Sequence, residues 1–215
     1  MELKSRAKAV PAPYPPASAV AVLAAMLLIG GCAFTTGHVN LEYQPQTPAT
    51  RVAEAASPPV AVQVTDKRPT QIVGEKINGF GMKTAGIKSD SDVPGTLKGA
   101  FETELKHRGF TIGANGNQVV VMLDSLQNSF AAGVFRGDAS ANAGMDVSVK
   151  RLGGVVVYDK YFTGQSKIRD VGFNWGVFVE MGSSRDAQTA LNAAIRDAVT
   201  KVFADEAFIH ALRKP

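Results

Sequence analysis

Leu97, Phe101 and Leu105 recur every four residues, the spacing of one apolar stripe down a helix. Asp92 stands where a helix cap is expected, and Pro94 falls in the first turn, where a missing N–H leaves no bond unmade. Gly109 closes the element. A second helix is predicted near Ser184, read as its cap, with Leu191, Ala194, Ile195, Ala198 and Val202 as the buried stripe. The pattern breaks at Asp205-Glu206 and resumes in a short last helix holding Phe208, Ile209 and Leu212.

Elsewhere the period drops to two. Ala139, Ala141, Ala143, Met145, Val147 and Val149 alternate with Ser140, Asn142, Asp146, Ser148 and Lys150, the pattern of a half-buried antiparallel strand. Gly153-Gly154 makes the tight turn after it, and VVVYDKYF (155–162) returns. QVVVMLDSLQNSF (118–130) reads as a long valine-rich strand, and VAVQV (60–64) as a short one stopped by the turn residues 65–69. The glycine-rich stretch 70–90 predicts an irregular hairpin or a mobile loop. The order strand, loop, helix, three strands, helix predicts an α+β fold. Its expected form is a mostly antiparallel sheet of about four strands with two main helices packed on one face, over residues 59–215.

The first 58 residues follow neither period. ASAVAVLAAMLLI (17–29) is apolar and uncharged, and Lys4, Arg6 and Lys8 precede it. That length suits the hydrophobic region of a signal peptide and is short for a membrane-crossing helix. Gly30 and Gly31 lead into Cys32, the only cysteine in 215 residues. One thiol supports neither an internal disulfide nor a zinc site built on cysteine pairs. Residues 33–58 are rich in proline, threonine and alanine and predict a flexible tether of about 30 Å as a coil. The alternative is that VNLEY (39–43) pairs as an edge strand.

Ile29-Gly30-Gly31-Cys32 resembles the lipobox of bacterial lipoproteins, with isoleucine where leucine is usual. The resemblance implies that residues 1–31 are a signal peptide cut between Gly31 and Cys32, and that the Cys32 thiol carries diacylglycerol. Residues 32–58 then become the lipidated amino terminus and tether. Each buried CH₂ of an acyl chain contributes about 0.8 kcal/mol, so two or three long chains hold a protein on a membrane essentially permanently. Ala33, not aspartate, follows the cysteine. By the same resemblance this implies transfer to the outer membrane, facing the periplasm.

A wider resemblance rests on several motifs together. The lipobox, the turn Asp66-Lys67-Arg68, KHRGF (106–110), QVVVMLDSL (118–126) and FIHAL (208–212) are similar to the YajG family of uncharacterised bacterial lipoproteins. The resemblance implies a small periplasmic α+β domain and no particular activity.

Charge and chemistry narrow the function by exclusion. The chain is formally +4, and loss of Lys4, Arg6, Lys8 and Glu2 with the signal leaves it near +2. No basic stripe with interleaved aromatics marks a nucleic-acid surface. His38, His107 and His210 have no metal-ligand spacing, so neither metal nor cofactor is expected. Gly182-Ser183-Ser184 lacks the second glycine of a nucleophile elbow. Asp124, Asp138, Asp146 and Asp159 lie in or near strands, and Asp146 falls on a polar face where a solvated charge is the default. No constellation for an enzyme results.

VGFNWGVFVEMG (171–182) carries the only tryptophan. Phe173, Trp175 and Phe178 either fold back as a satellite core or form an interaction loop for a partner protein or the membrane surface. The expected function is a membrane-anchored envelope lipoprotein acting as a non-enzymatic interaction module, with an envelope protein as its partner. The alternative is a carrier of a lipid or glycan fragment.

Overall fold

The computed structural model describes residues 35–45, 49–52, 58–77, 81–132, 137–171 and 183–213. Seven strands and three helices are described: β1 (Gly37–Val39), β2 (Val60–Asp66), β3 (Ile72–Ile77), β4 (Lys83–Ser89), α1 (Val93–His107), β5 (Asn117–Ala132), β6 (Gly137–Lys150), β7 (Val156–Val171), α2 (Ser184–Ala204) and α3 (Glu206–Arg213).

The larger sheet has the order β2-β5-β6-β7. β5, β6 and β7 form an antiparallel meander, as the alternation predicts. The β2–β5 pair is parallel, with Val62 opposite Val119 and Val64 opposite Val121, so the sheet is mixed. The chain reaches that register by crossing over through β3, β4 and α1, the long connection that a parallel pair requires.

Of the two readings of the glycine-rich stretch, the irregular hairpin is the one the structure shows. β3 and β4 pair as an antiparallel hairpin, and β1 adds to β4 in parallel, giving a second sheet of order β1-β4-β3. Two register shifts in β3–β4 break the simple alternation that a sequence pattern needs.

The expected tether is also not free along its length. Val39 and Leu41 are buried, and the chain from Gly37 runs beside α2. Asn40 N–H donates to Gln188 Oε1 at 3.0 Å and Glu42 N–H to Asn192 Oδ1 at 3.1 Å. Tyr43 Oη donates to Glu104 Oε1 at 2.6 Å. Burial and the Glu104 carboxylate push the Tyr43 phenol well above its usual range. Glu104 itself is buried and ion-paired to Arg108, whose guanidinium lies 4.5 Å from the Phe203 ring centre.

The core lies between the larger sheet and the helices. Leu97, Phe101, Leu105, Leu191, Ile195 and Phe208 are fully buried there, as the helical stripes predict. Alanine dominates where α2 crosses the sheet: Ala187, Ala190, Ala194 and Ala198 on the helix meet a sheet face lined by Ala139, Ala141 and Ala143. Gly164 of β7 completes the fit, because a Cβ there would sit 2.0 Å from Ala194 O. Small residues on both surfaces let helix and sheet approach closely.

The α1 start at Asp92 is as expected, although its side chain makes no cap hydrogen bond. The α2 cap is Ser183, one residue before the expected Ser184. The Ser183 hydroxyl accepts from Asp186 N–H at 3.2 Å, and the Asp186 carboxylate accepts from Ser183 N–H at 3.3 Å, a reciprocal capping box.

Candidate functional site

The site residues expected from sequence fall outside the described residues: Gly31 and Cys32 at the expected cleavage point, and Phe173, Trp175 and Phe178 in the 171–182 stretch. The described surface offers two other features. Both lie on the meander β5-β6-β7, on or beyond the sheet face turned away from the helices.

The first is an open polar groove of roughly 470 Å³, lined by Gln127, Ser129, Ser140, Asn142, Gln165 and Lys167. These six belong to the polar-out half of the strand alternation. Register places them in rows, with Ser129 opposite Ser140 and Asn142 opposite both Gln127 and Gln165. The Ser129 and Ser140 hydroxyls are 2.9 Å apart. Lys167 is the one cation among them and pairs with Asp138 at 2.8 Å. Amide and hydroxyl groups with little net charge can exchange hydrogen bonds with a neutral polar ligand.

Further along the same face, Asp146 is hydrogen-bonded to Asp124. Its carboxyl is pushed up by burial first, then by the Asp124 hydrogen bond and the nearby charges of Asp124 and Asp159, while Lys67 opposes the shift. Asp146 thus shares the polar face with Asp124, Asp159 and Lys67. Among the described residues no group of three or more His, Cys, Asp or Glu side chains is placed to hold a metal ion. His38 pairs with Asp90 at 2.7 Å on the surface, and His107 lies in the last turn of α1, where a cation faces the negative end of the helix dipole.

The second feature is the β6–β7 hairpin tip. Arg151 and Val155 close it, with Arg151 N–H donating to Val155 O at 2.9 Å, and Gly153 and Gly154 take left-handed φ values of 105° and 88°. A turn at these two glycines is as expected. The exposure of the residues around it was not. Leu152 is 75% and Val155 65% exposed, and Val156 and Val157 follow at 51% and 41%. β7 is an edge strand of the larger sheet. Further along it, the edge is covered: Asp197 accepts from Gln165 N–H at 2.9 Å and Lys201 donates to Thr163 O at 2.9 Å. These two α2 residues occupy backbone groups that an added strand would need. The distal stretch with Val156 and Val157 shows no such clamp among the described contacts.

A family model described as uncharacterized lipoprotein matches residues 45–213. The chain belongs to this family, the YajG family of lipoproteins. The lipoprotein matches no curated protein. Protein XCC0632 from Xanthomonas campestris is similar in fold, with a TM-score of 0.50 at 11% identity over 79% of this chain and 92% of that one. A candidate lipoprotein from Caulobacter crescentus CB15 aligns over 72% of this chain and 93% of its own at 13% identity and a TM-score of 0.40. A candidate neuraminyllactose-binding hemagglutinin homolog from Helicobacter pylori aligns over 80% and 99% at 10% identity and a TM-score of 0.38. No helix among the described residues of the lipoprotein is long and apolar enough to cross a membrane.

Proposed function

We propose that the chain is a lipid-anchored envelope lipoprotein, acylated at Cys32, held at the outer membrane and facing the periplasm, and that its domain is a non-enzymatic protein-interaction module. Family membership supports the lipoprotein character, and the apolar run ending in Gly30-Gly31-Cys32 supplies the anchor. The observation that carries the module is the β6–β7 hairpin tip. Leu152, Val155, Val156 and Val157 are exposed aliphatic side chains at the tip of an edge strand, where the described contacts show no clamp. Folded proteins seldom leave such a tip uncovered unless a partner meets it. Phe173, Trp175 and Phe178 remain a second contact in this proposal, resting on their sequence alone.

A photo-crosslinking amino acid at Val156 tests the module in cells. It should give a discrete adduct with an envelope protein. The double substitution Val155→Asp and Val157→Asp should remove that adduct while leaving the melting temperature within a few degrees, because both side chains are already exposed. An absent adduct, or one indifferent to the two aspartates, would sink the proposal.

The carrier alternative changes form. Among the described residues the space between sheet and helices is occupied by Leu97, Phe101, Leu191, Ile195 and Phe208, so nothing described there supports a lipid carrier. The polar groove favours instead a neutral glycan fragment on the outer face. Asn142→Ala should then weaken saccharide binding measured by nuclear magnetic resonance titration. Unchanged or absent shifts with envelope-derived saccharides would dismiss this second reading.

A further inference from the structure

Fixed docking of residues 37–43 sets which end of the domain faces the anchor. β1 runs from Gly37 toward Tyr43 alongside α2, from the level of Ser184 to that of Asn192. Ser184 begins α2, so the chain enters at the end of the domain where β7 finishes and α2 starts. A Cβ on Gly37 would lie 2.6 Å from Ser184 Oγ, which puts the two elements in contact at that end. Only four residues lie between Cys32 and Gly37, five steps of chain with a reach of at most about 17 Å.

The parallel register of β1 on β4 adds a second constraint. Gly37 lies opposite Ile87. Counting five residues back from each gives Cys32 and Met82. Met82 sits at the turn end of the β3–β4 hairpin, is 59% exposed, and precedes Lys83, a largely exposed lysine paired with Glu75. The hairpin turn therefore projects beyond the Gly37 end of β1, by about the distance that the five-residue step from Gly37 back to Cys32 can span. The β6–β7 tip lies at the other end. β6 has 14 residues, so about 46 Å of sheet separates the two ends.

We infer that the β3–β4 hairpin is a membrane-contact element: beside the acylated Cys32, Met82 and the Lys83 stem rest in the headgroup layer of the bilayer that holds the anchor. The occupant of this surface is the lipid itself. A thioether next to an amphipathic lysine suits that layer, with the ammonium reaching the phosphates and the apolar parts below. The same geometry puts Leu152 and Val155–Val157 at the far end of the sheet, up to about 46 Å from the bilayer, presented to the aqueous compartment. This inference rests on the proposal that Cys32 carries lipid.

Depth-dependent quenching tests it. Cys32 is the only cysteine, and acylation consumes its thiol, so Met82→Cys and Leu152→Cys each accept one bimane label in the full lipidated chain. Both positions are exposed, so labelling leaves the core untouched. The labelled proteins are reconstituted in phosphatidylethanolamine–phosphatidylglycerol vesicles containing a headgroup-nitroxide lipid. Bimane at 82 should be quenched at least threefold more strongly than bimane at 152. Equal quenching at the two positions, or stronger quenching at 152, would overturn the orientation while leaving the anchor intact. Flotation separates the two ideas. Wild type should float with the vesicles and Cys32→Ser should not, and a Cys32→Ser chain that floats equally would overturn both the anchor and the orientation built on it.

Discussion

Gly164→Ala should loosen the contact between α2 and the larger sheet. An added Cβ would lie 2.0 Å from Ala194 O, 2.4 Å from Ala198 N and 2.7 Å from Ala198 Cβ, against an ordinary contact that begins at 3.4 Å. Two of these atoms are helix backbone, so no side chain can swing aside. The helix must move off the sheet by about 1 Å, and with it Leu191 and Ile195 leave their packing. Overpacking of a tight core typically costs about 1–3 kcal/mol, and a clash with backbone belongs at the upper end. For a domain of this size that is a fall in melting temperature of about 6–12 °C, at about 2–4 °C per kcal/mol. Thermal and urea denaturation followed by circular dichroism measure it. Gly99→Ala is the control, because a Cβ there meets nothing within 4 Å. On an open helix face it should stabilise by about 0.4–1 kcal/mol. Equal stability of Gly164→Ala and wild type would refute the close crossing of α2 over β7.

Tyr43→Phe should cost about 1.5–3 kcal/mol, because it removes a hydrogen bond to the buried Glu104 carboxylate. Amide exchange at residues 39–43 should rise in the same variant, and unchanged protection would show that the segment docks without it. The Lys160 hydrogen bond holds the Asp205 carboxyl below its usual range, partly opposed by burial. A depressed folded-state pKa gives stability that is present above the unfolded value and lost as pH falls through the folded one. Asp205→Asn should therefore be less stable than wild type at neutral pH and show a shallower acid loss, and parallel acid limbs would count against the pair. Trp175→Ala should keep the melting temperature within a few degrees while losing captured partner, whereas a loss of about 3–5 kcal/mol would make it a core residue.

The helices were legible because their apolar spacing is a direct image of burial. Leu97, Phe101 and Leu105, and Leu191, Ala194 and Ile195, read as stripes and are buried as stripes. β6 was legible for the same reason, since alanine through valine alternate with polar residues over its length. The second sheet was legible only in part: an irregular hairpin is one of the two readings of 70–90, and Gly74, Gly86 and two register shifts mask the alternation that would fix its strands. For the docked segment at 37–43 the sequence offers only the alternative of VNLEY (39–43) as an edge strand. The segment's stability comes from Gln188, Asn192 and Glu104, distant in sequence, and no local pattern carries that. Parallel pairing of β2 with β5 leaves no mark on either strand alone. The groove is visible in the sequence only through Ser140 and Asn142, which fall on a polar face; the register of three strands brings Gln127, Asn142 and Gln165 into one row. VVVY (155–158) read as strand, and nothing in an unbroken apolar run says which of its residues stay in water.

Acylation of Cys32 is the claim from which membrane placement and orientation both follow. Cells fed labelled palmitate, followed by isolation of the wild-type chain and of Cys32→Ser, test it in one step, with the amino terminus of each chain read by mass spectrometry. The wild-type chain should begin at Cys32 and carry label on that residue, and Cys32→Ser should be unlabelled and retain residues 1–31. Label entering Cys32→Ser, or a wild-type chain that starts elsewhere and carries none, would contradict the lipid anchor.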